Sequence, residues 1–278
     1  GAANSRPTSV NNINNFILSA TSGAALRFTT ATNYALSGSA VVLNGNVSQT
    51  AASTVSISND IKLARSSTFS MPNANGTITA SGVISNQTSG SAAGLSKTGP
   101  GTLILSGNNT YTGDTTVTGG VLVVNGSNTA TAVNVGSGAT LRGVGSVGDV
   151  SIVGGIVNAG TNGSSGILKA ASLTLDADST SIFAISGTGQ GTGYNSIRSA
   201  GAINYGDSLL QLSMPSTKLP NYTYYQLFEG ASYTGSVAAI PNVSYNGKDW
   251  QFTETSPGVW KSNYDTELDQ GLIFTSAN

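Results

Sequence analysis

The sequence predicts an all-β protein, a parallel β-helix (β-solenoid) that ends in an antiparallel, aromatic-rich C-terminal cap. Three observations predict it. Apolar residues at helical spacing are almost absent, and strand-length runs of alternating polar and apolar residues recur along the whole chain. Glycine-rich phrases also return about every 15 to 25 residues, a period typical of solenoids. Thr116-Val117-Thr118 and Ser172-Leu173-Thr174-Leu175 are examples of the alternating runs.

The spacing of the turns leaves two β architectures to compare. Between about residues 76 and 185 the turns fall every 8 to 12 residues, which β-sandwiches also show. Sandwich hairpins usually have tight Asn-Gly or Asp-Gly turns, whereas the connectors here are loose clusters such as Gly119-Gly120 and Gly136-Ser137-Gly138. Repetition of similar phrases favours a solenoid, in which each coil adds one strand to each of a few parallel sheets. We therefore expect parallel β-helix coils over residues 76–200.

The two ends of the chain differ from this middle part. Residues 1–75 lack the repeated phrase, and we assign them to an N-terminal β region that forms the first coils or donates a strand. Residues 201–278 contain 12 of the 19 aromatic residues and two hairpin signals, Asn246-Gly247 and Ser256-Pro257-Gly258. We expect a cap there, because the last coil of a solenoid otherwise exposes strand edges and an apolar cross-section. The chain begins at Gly1 rather than Met, so we expect a processed or excised piece.

The composition excludes several classes of function. Histidine and cysteine are both absent, which removes His-based triads, thiol nucleophiles, Cys or His zinc sites, haem and iron–sulfur clusters. Eleven basic and twelve acidic residues give a net charge of −1, so we expect no nucleic-acid partner. The longest apolar runs fall far short of the ~20 residues of a membrane-spanning helix. We expect no cofactor, no metal site, no membrane span and no enzymatic activity.

Two segments of the sequence are candidates for a catalytic or ligand-binding site. Asp176 and Asp178 would point to the same face of a strand, as carboxylates of a polysaccharide-degrading enzyme or ligands of a calcium ion would need to. No other acidic group lies near them in the sequence, and a polar corner or Asx-type turn is the simpler interpretation. The glycine-rich segment 187–193 lacks the helix and the Lys-Ser/Thr of a phosphate-binding loop, so we interpret it as an excursion from a coil.

Residues 94–127, GLSKTGPGTLILSGNNTYTGDTTVTGGVLVVNGS, resemble the autotransporter-associated β-strand repeat, also called the passenger-associated transport repeat. The positions that match its pattern are Gly94, Leu95, Lys97, Gly99, Gly101, Thr102, Leu103, Leu105, Ser106, Gly107, Asn109, Tyr111, Gly113, Thr115, Val117, Gly120 and Leu122. The resemblance implies a bacterial β-helix that is secreted or displayed on the cell surface, in which the repeat is scaffolding without catalytic residues. In that scaffold we expect Leu103, Leu105, Val117 and Leu122 to form core ladders and Asn109 to bond to backbone in a corner.

Three functions follow as hypotheses. The first is an extracellular structural subunit that associates with copies of itself, head to tail, into a fibre, sheath or surface layer. Its candidate self-association residues are Phe16, Ile17, Leu18, Leu272, Ile273 and Phe274. The alternative is an adhesin or autotransporter-like passenger that binds glycans or neighbouring surfaces, with Trp250 and Trp260 as candidate sugar-stacking aromatics. The third is a polysaccharide-degrading enzyme that uses Asp176.

Overall fold

The computed structural model describes residues 8–11, 16–129, 131–161, 164–213, 224–239, 243–245 and 248–263. These ranges contain β-strands and no helix. The strands that begin before residue 149 are β1 (Thr8–Asn11), β2 (Phe16–Phe28), β3 (Tyr34–Gly38), β4 (Val41–Gln49), β5 (Thr54–Ile57), β6 (Ile61–Leu63), β7 (Ser67–Ser70), β8 (Thr77–Ala80), β9 (Ile84–Asn86), β10 (Leu95–Thr98), β11 (Thr102–Leu105), β12 (Thr115–Val117), β13 (Gly120–Val124), β14 (Ser127–Asn128), β15 (Val133–Val135), β16 (Ala139–Gly143) and β17 (Ser146–Val147). The remaining strands are β18 (Asp149–Ile152), β19 (Ile156–Ala159), β20 (Ile167–Ala170), β21 (Ser172–Leu175), β22 (Thr180–Ala184), β23 (Ser196–Ser199), β24 (Ala202–Asn204), β25 (Ser208–Ser213), β26 (Tyr224–Gln226), β27 (Phe228–Glu229), β28 (Ser232–Thr234), β29 (Val237–Ala239), β30 (Val243–Tyr245), β31 (Lys248–Ser256) and β32 (Val259–Asn263).

The chain divides into two compact units. One consists of Gly1–Thr140 with Ser146–Gly148, and the other of Leu141–Gly145 with Asp149–Asn278. The domain boundaries near residues 75 and 200 that the sequence suggested stay a prediction.

In the first unit the chain winds through stacked parallel sheets. One sheet has the strand order β1-β3-β5-β8-β11-β13, and the second has the order β15-β12-β10-β7-β4-β6-β9, with β2 paired to β4. Register partners along the second sheet lie 20 and then 18 residues apart, from Leu95 to Thr115 and from Thr115 to Val133. These separations fall within the period of the glycine-rich phrases. The short strands β14 and β17 begin a third sheet.

In the second unit each turn of the chain adds one strand to each of three parallel sheets. Their orders are β18-β21-β24-β28, β19-β22-β25-β29 and β20-β23-β27. Strands follow one another from sheet to sheet along the chain, so sequence neighbours do not pair and every pairing in these sheets is parallel. The predicted parallel β-helix is confirmed, and a sandwich is excluded because its sheets would be antiparallel.

The C-terminal part of the chain also forms a four-stranded antiparallel sheet with the order β26-β32-β31-β30. The hairpin signal Ser256-Pro257-Gly258 lies between β31 and β32, which pair antiparallel. The signal Asn246-Gly247 lies outside the described residues, and β30 and β31 on its two sides also pair antiparallel. Gly258 has φ +82, a conformation that a side chain would strain. The predicted antiparallel cap with its aromatic residues is confirmed.

Candidate functional site

The repeat at residues 94–127 contributes buried side chains to the core of the first unit. Its inward side chains stack on the same positions of neighbouring coils, since Leu103 pairs with Ile78 on one side and with Leu122 on the other. These three side chains, like the expected ladder residues Leu105 and Val117, have no exposed surface. The core ladders predicted from the sequence are therefore confirmed.

Lys97 is a buried cation in this core. Its strand β10 alternates buried and half-buried positions, and Lys97 occupies a buried one with 0% of its surface exposed. Its Nζ donates hydrogen bonds to the backbone carbonyls of Gly99 (2.6 Å), Gly119 (2.9 Å) and Thr98 (3.2 Å). Burial lowers the pKa of Lys97 to about 8. The ammonium therefore joins the corner after β10 to the corner of the next coil.

A buried polar triad fills the corner after β11. Tyr111 Oη and Thr115 Oγ1 share a hydrogen bond of 2.6 Å, and Asn128 Nδ2 donates to both oxygens, at 2.8 and 3.2 Å. All three side chains have 0% exposed surface. Burial raises the pKa of the Tyr111 phenol to about 12, while its hydrogen bonds to Thr115 and Asn128 act in the opposite direction. The triad can hold a corner in place but offers no reactive group to solvent.

Asn109 connects three successive coils. Its Oδ1 accepts a hydrogen bond from the backbone N–H of Ile84 (2.9 Å), and its own backbone N–H donates to the carbonyl of Ser127 (2.7 Å). Only 4% of its surface is exposed. The sequence-based expectation that Asn109 bonds to backbone in a corner is confirmed.

A column of glycines lines the same corner. A Cβ atom on Gly82 would collide with the carbonyl of Asn59, one on Gly107 with the carbonyl of Gly82, and one on Gly126 with the carbonyl of Gly107. Each glycine thus lets its coil approach the backbone of the coil before it. The column explains why the repeat has glycine at positions 107 and 126, since no side chain fits between these backbones.

The comparison with protein families bears on this segment. The family model described as passenger-associated-transport-repeat matches residues 95–124. These 30 residues contain Lys97, Asn109, Tyr111, Gly107 of the glycine column and the predicted ladder residues Leu103, Leu105, Val117 and Leu122. Residues 95–124 are a passenger-associated transport repeat. No curated protein shows significant similarity to the chain.

The transport repeat suggests a secreted or surface protein of bacteria, and the parallel β-solenoid fits an autotransporter-associated passenger. The buried polar side chains of the repeat, Lys97, Asn109, Tyr111 and Thr115, bind backbone carbonyls, backbone N–H groups or other buried side chains inside the coils. Among the described residues no helix is both long and apolar enough to cross a membrane.

Replacing Lys97 of the transport repeat with methionine is expected to lower the free energy of unfolding by about 1–3 kcal/mol. Methionine fills most of the same volume but leaves the carbonyls of Thr98, Gly99 and Gly119 without their charged donor. Urea unfolding at pH 7 measures the change. Lys169→Met is the matched control, because Lys169 is exposed on β20 and its loss should change stability by less than about 0.5 kcal/mol.

The pH dependence of the free energy of unfolding, compared between the wild type and Lys97→Met, gives a sharper test. The pKa of Lys97 is about 8 in the folded protein, against about 10.5 when unfolded, so the unfolded state binds more protons between these values. The free energy of unfolding of the wild type should therefore rise relative to that of Lys97→Met as the pH increases from about 8 to 9.5. A constant difference across this window would contradict the burial of a charged lysine. Above about pH 10 the raised pKa of Tyr111 has the opposite effect: it makes the free energy of unfolding of both proteins fall as the pH increases.

The predicted self-association residues are only partly described. Phe16, Ile17 and Leu18 begin β2, where they pair with Val41, Val42 and Leu43 of β4. Ile17 has 59% of its surface exposed, and Leu18 is half-buried. The other candidates, Leu272, Ile273 and Phe274, lie outside the described residues.

The cap corrects one expectation about aromatic side chains. Trp260 has 0% exposed surface, so it offers no face on which a sugar can stack. Its ring instead packs 5.8 Å from that of Phe228, which contacts Phe183 at 4.9 Å and Tyr205 at 5.2 Å. Trp260 therefore packs into the core of the last coils. The backbone of Trp250 lies in β31, but its side chain is outside the described part of the chain.

Asp176 lies in a corner between strands. The Oδ1 atom of Asp176 accepts hydrogen bonds from the Ser179 hydroxyl and from the backbone N–H of Gly154 (3.0 Å). These two contacts, the hydroxyl first, lower the pKa of the Asp176 carboxyl. Asp178 is exposed. No group of three or more Asp or Glu side chains that could hold a metal ion occurs within the described ranges. The contacts support the polar-corner interpretation of this segment.

Proposed function

We propose that the chain is a non-enzymatic scaffold of a secreted or surface-displayed bacterial passenger, which associates head to tail with copies of itself through the edges of its parallel sheets. The observation that carries the proposal is the state of the first and last strands. Among the described strands, β1 pairs only with β3 and β2 only with β4, while β28 pairs only with β24 and β29 only with β25. Within the described part of the chain, each of these strands therefore has a pairing partner on one side only.

Apolar side chains in the first coil of the first unit are also incompletely buried. Leu18, Leu26 and Leu36 are half-buried, whereas Leu43 and Ile57, one layer further in, are 1% and 2% exposed. These side chains line a small apolar cavity of about 30 Å³. A strand added along β2 would cover this surface. Among described residues, the interior of the first coil is therefore less well covered than the interior of the coils that follow.

The last strands of the second unit expose backbone rather than core. Ser232 and Thr234 at the two ends of β28 are exposed, while Trp260 and Phe228 close the interior. A copy that docks here would gain main-chain hydrogen bonds along β28 and β29. This is β-strand addition, in which the backbone supplies affinity and the alternate side chains supply specificity.

Addition of the first strands of one copy to the last strands of another continues the parallel sheets. Because the two surfaces differ, the contact is heterologous and does not close on itself, so its product is a filament. A β-bulge in β2, where the register shifts between Ser19 and Ala24, restricts the pairing. Such bulges limit edge-to-edge aggregation in natural sheets. We expect the segments Phe16–Ser19 and Leu26–Phe28 on either side of this bulge to pair.

Ile17→Lys is expected to abolish concentration-dependent association. The lysine places a charge on the exposed side of the edge strand, where an incoming strand would have to desolvate it. Sedimentation velocity over a hundredfold range of concentration measures the effect, and negative-stain electron microscopy shows whether filaments form. Wild-type protein should shift to larger species as the concentration rises, and the variant should stay monomeric.

Val153→Lys is the matched control for this substitution. Val153 is 58% exposed, nearly as much as Ile17, but it lies in a turn between β18 and β19 rather than on an edge strand. This variant should associate like the wild type. Association of Ile17→Lys at the wild-type level, or a wild type that is monomeric at every concentration, would rule out the proposed contact.

A further inference from the structure

The second unit contains an open cavity of about 720 Å³ on the outer face of the β19-β22-β25-β29 sheet. Its floor comes from outward positions of adjacent strands, where Asn158 pairs with Ile182 and Ala184 pairs with Ser213. The volume is within the range of small-ligand sites, roughly 300–1,000 Å³. We call this cavity the β19–β22 groove.

Two loops form the walls of the β19–β22 groove. On one side Thr161 and Ser164 exchange two backbone hydrogen bonds of 3.1 Å. On the other side the glycine-rich segment 187–193 contributes Gly191 and Thr192. The glycine-rich segment therefore forms one wall of the groove.

Arg142 is the feature that points to a ligand. It is the only charged residue among those described as lining the groove, and none of the lining residues is acidic. Its Nε is buried and has no hydrogen-bond partner within the described part of the chain. Gly143, the next residue, exchanges two backbone hydrogen bonds with Gly160, of 3.0 and 2.8 Å, which fix the backbone beside Arg142. Arg142 thus brings a positive charge to a lining without a carboxylate, and a bound anion would supply the counter-charge.

The rest of the lining favours a hydroxylated ligand. Asn158 and Asn195 are joined by a 3.3 Å hydrogen bond between their amides, and Asn195 Oδ1 also accepts from the backbone N–H of Gly166 (3.2 Å). Serine and threonine hydroxyls occupy both walls, while Ile182 and Ala184 supply an aliphatic patch on the floor. Sugars have dense hydroxyl groups and a C–H face, and this lining complements both.

We infer that the β19–β22 groove binds a short acidic oligosaccharide, with a sugar carboxylate held by the guanidinium of Arg142. The hydroxyl groups of the sugar bind the Asn, Ser and Thr side chains of the floor and walls. None of the residues that line the groove is Trp260 or belongs to the edge strands that carry the proposed self-association. Failure of the inference would therefore leave the scaffold function unaffected.

Isothermal titration calorimetry with tri-galacturonic acid, its methyl ester and a sulfated trisaccharide tests the inference. Wild-type protein should bind the free acid, bind it more weakly as salt increases, and bind the ester and the sulfated sugar at least about tenfold more weakly. Arg142→Gln should lower the affinity for the acid by about tenfold or more, because a charge-assisted hydrogen bond is lost. Arg65→Gln, at an exposed arginine of the first unit, should bind like the wild type.

Ala184→Phe gives a second variant that does not depend on Arg142. The larger side chain on the outward face of β22 should fill the floor of the groove and block the acid, with circular dichroism confirming that the sheets are intact. Four results would overturn the inference: no binding of the acid by wild-type protein at millimolar concentration, equal binding of the ester, tighter binding of the sulfated sugar, or unchanged affinity in a folded Arg142→Gln or Ala184→Phe.

Discussion

Trp260→Ala is expected to lower the free energy of unfolding by about 3–5 kcal/mol, the usual loss when a fully buried tryptophan is truncated in a core. The ring of Trp260 has no exposed surface and contacts Phe228, which is itself packed against Phe183 and Tyr205. Alanine leaves a cavity over these aromatic rings. Urea unfolding followed by far-ultraviolet circular dichroism measures the loss, and the variant should also bind a hydrophobic dye that the wild type does not.

Tyr224→Ala is the control for the cap. Tyr224 lies in β26, on the strand beside Trp260, but 57% of its surface is exposed and its main contact is the Lys261 ammonium, 5.4 Å from its ring centroid. An exposed cation–π contact contributes about 0.5–1 kcal/mol, so this variant should lose no more than that. Equal losses in the two variants would mean that the cap is not anchored by Trp260.

Gly107→Ala is expected to destabilise the first unit by roughly 3 kcal/mol, the upper part of the range for overpacking a close-packed site. The added Cβ would lie closer than 3.0 Å to the carbonyl carbon and oxygen of Gly82, and backbone of an adjacent coil cannot move aside as a flexible side chain can. The coils on either side would have to separate, which breaks ladder hydrogen bonds as well. Thermal and urea unfolding measure the effect.

Gly136→Ala provides the comparison for this position. A Cβ there would have only an ordinary contact of 3.7 Å with the carbonyl of Val117. The change should lie within about 1 kcal/mol of the wild type, because alanine also reduces the conformational freedom of the unfolded chain. If Gly107→Ala proved as mild as Gly136→Ala, the coils would not be stacked as closely as the glycine column requires.

Local patterns of the sequence were sufficient to predict the regular parts of this molecule. Alternation at Leu103 and Leu105 placed these residues in the core, and both are fully buried. The hairpins of the cap followed from turn residues that favour chain reversal, as at Ser256-Pro257-Gly258. Each of these signals acts over a few neighbouring residues, so no knowledge of the tertiary structure was needed.

The features that were missed depend on residues distant in sequence. The ammonium of Lys97 binds the carbonyl of Gly119, which belongs to the next coil. Trp260 was a candidate for sugar stacking, since nothing near it in the sequence shows that Phe228 packs against it. The β19–β22 groove likewise joins Arg142 to strands and loops that extend to Ser213. Stacking of coils creates these sites, and a local pattern does not encode which corners meet.

Disulfide trapping tests the central claim, head-to-tail association through the edge strands, most directly. The chain has no cysteine, so a pair can be introduced without background: Ile17→Cys on β2 and Ser232→Cys on β28, both at exposed positions. Under oxidising conditions the double variant should form a ladder of oligomers on non-reducing gels, and a mixture of the two single variants should form the mixed dimer joined between positions 17 and 232. Monomers alone, or dimers joined only between identical positions, would contradict the claim.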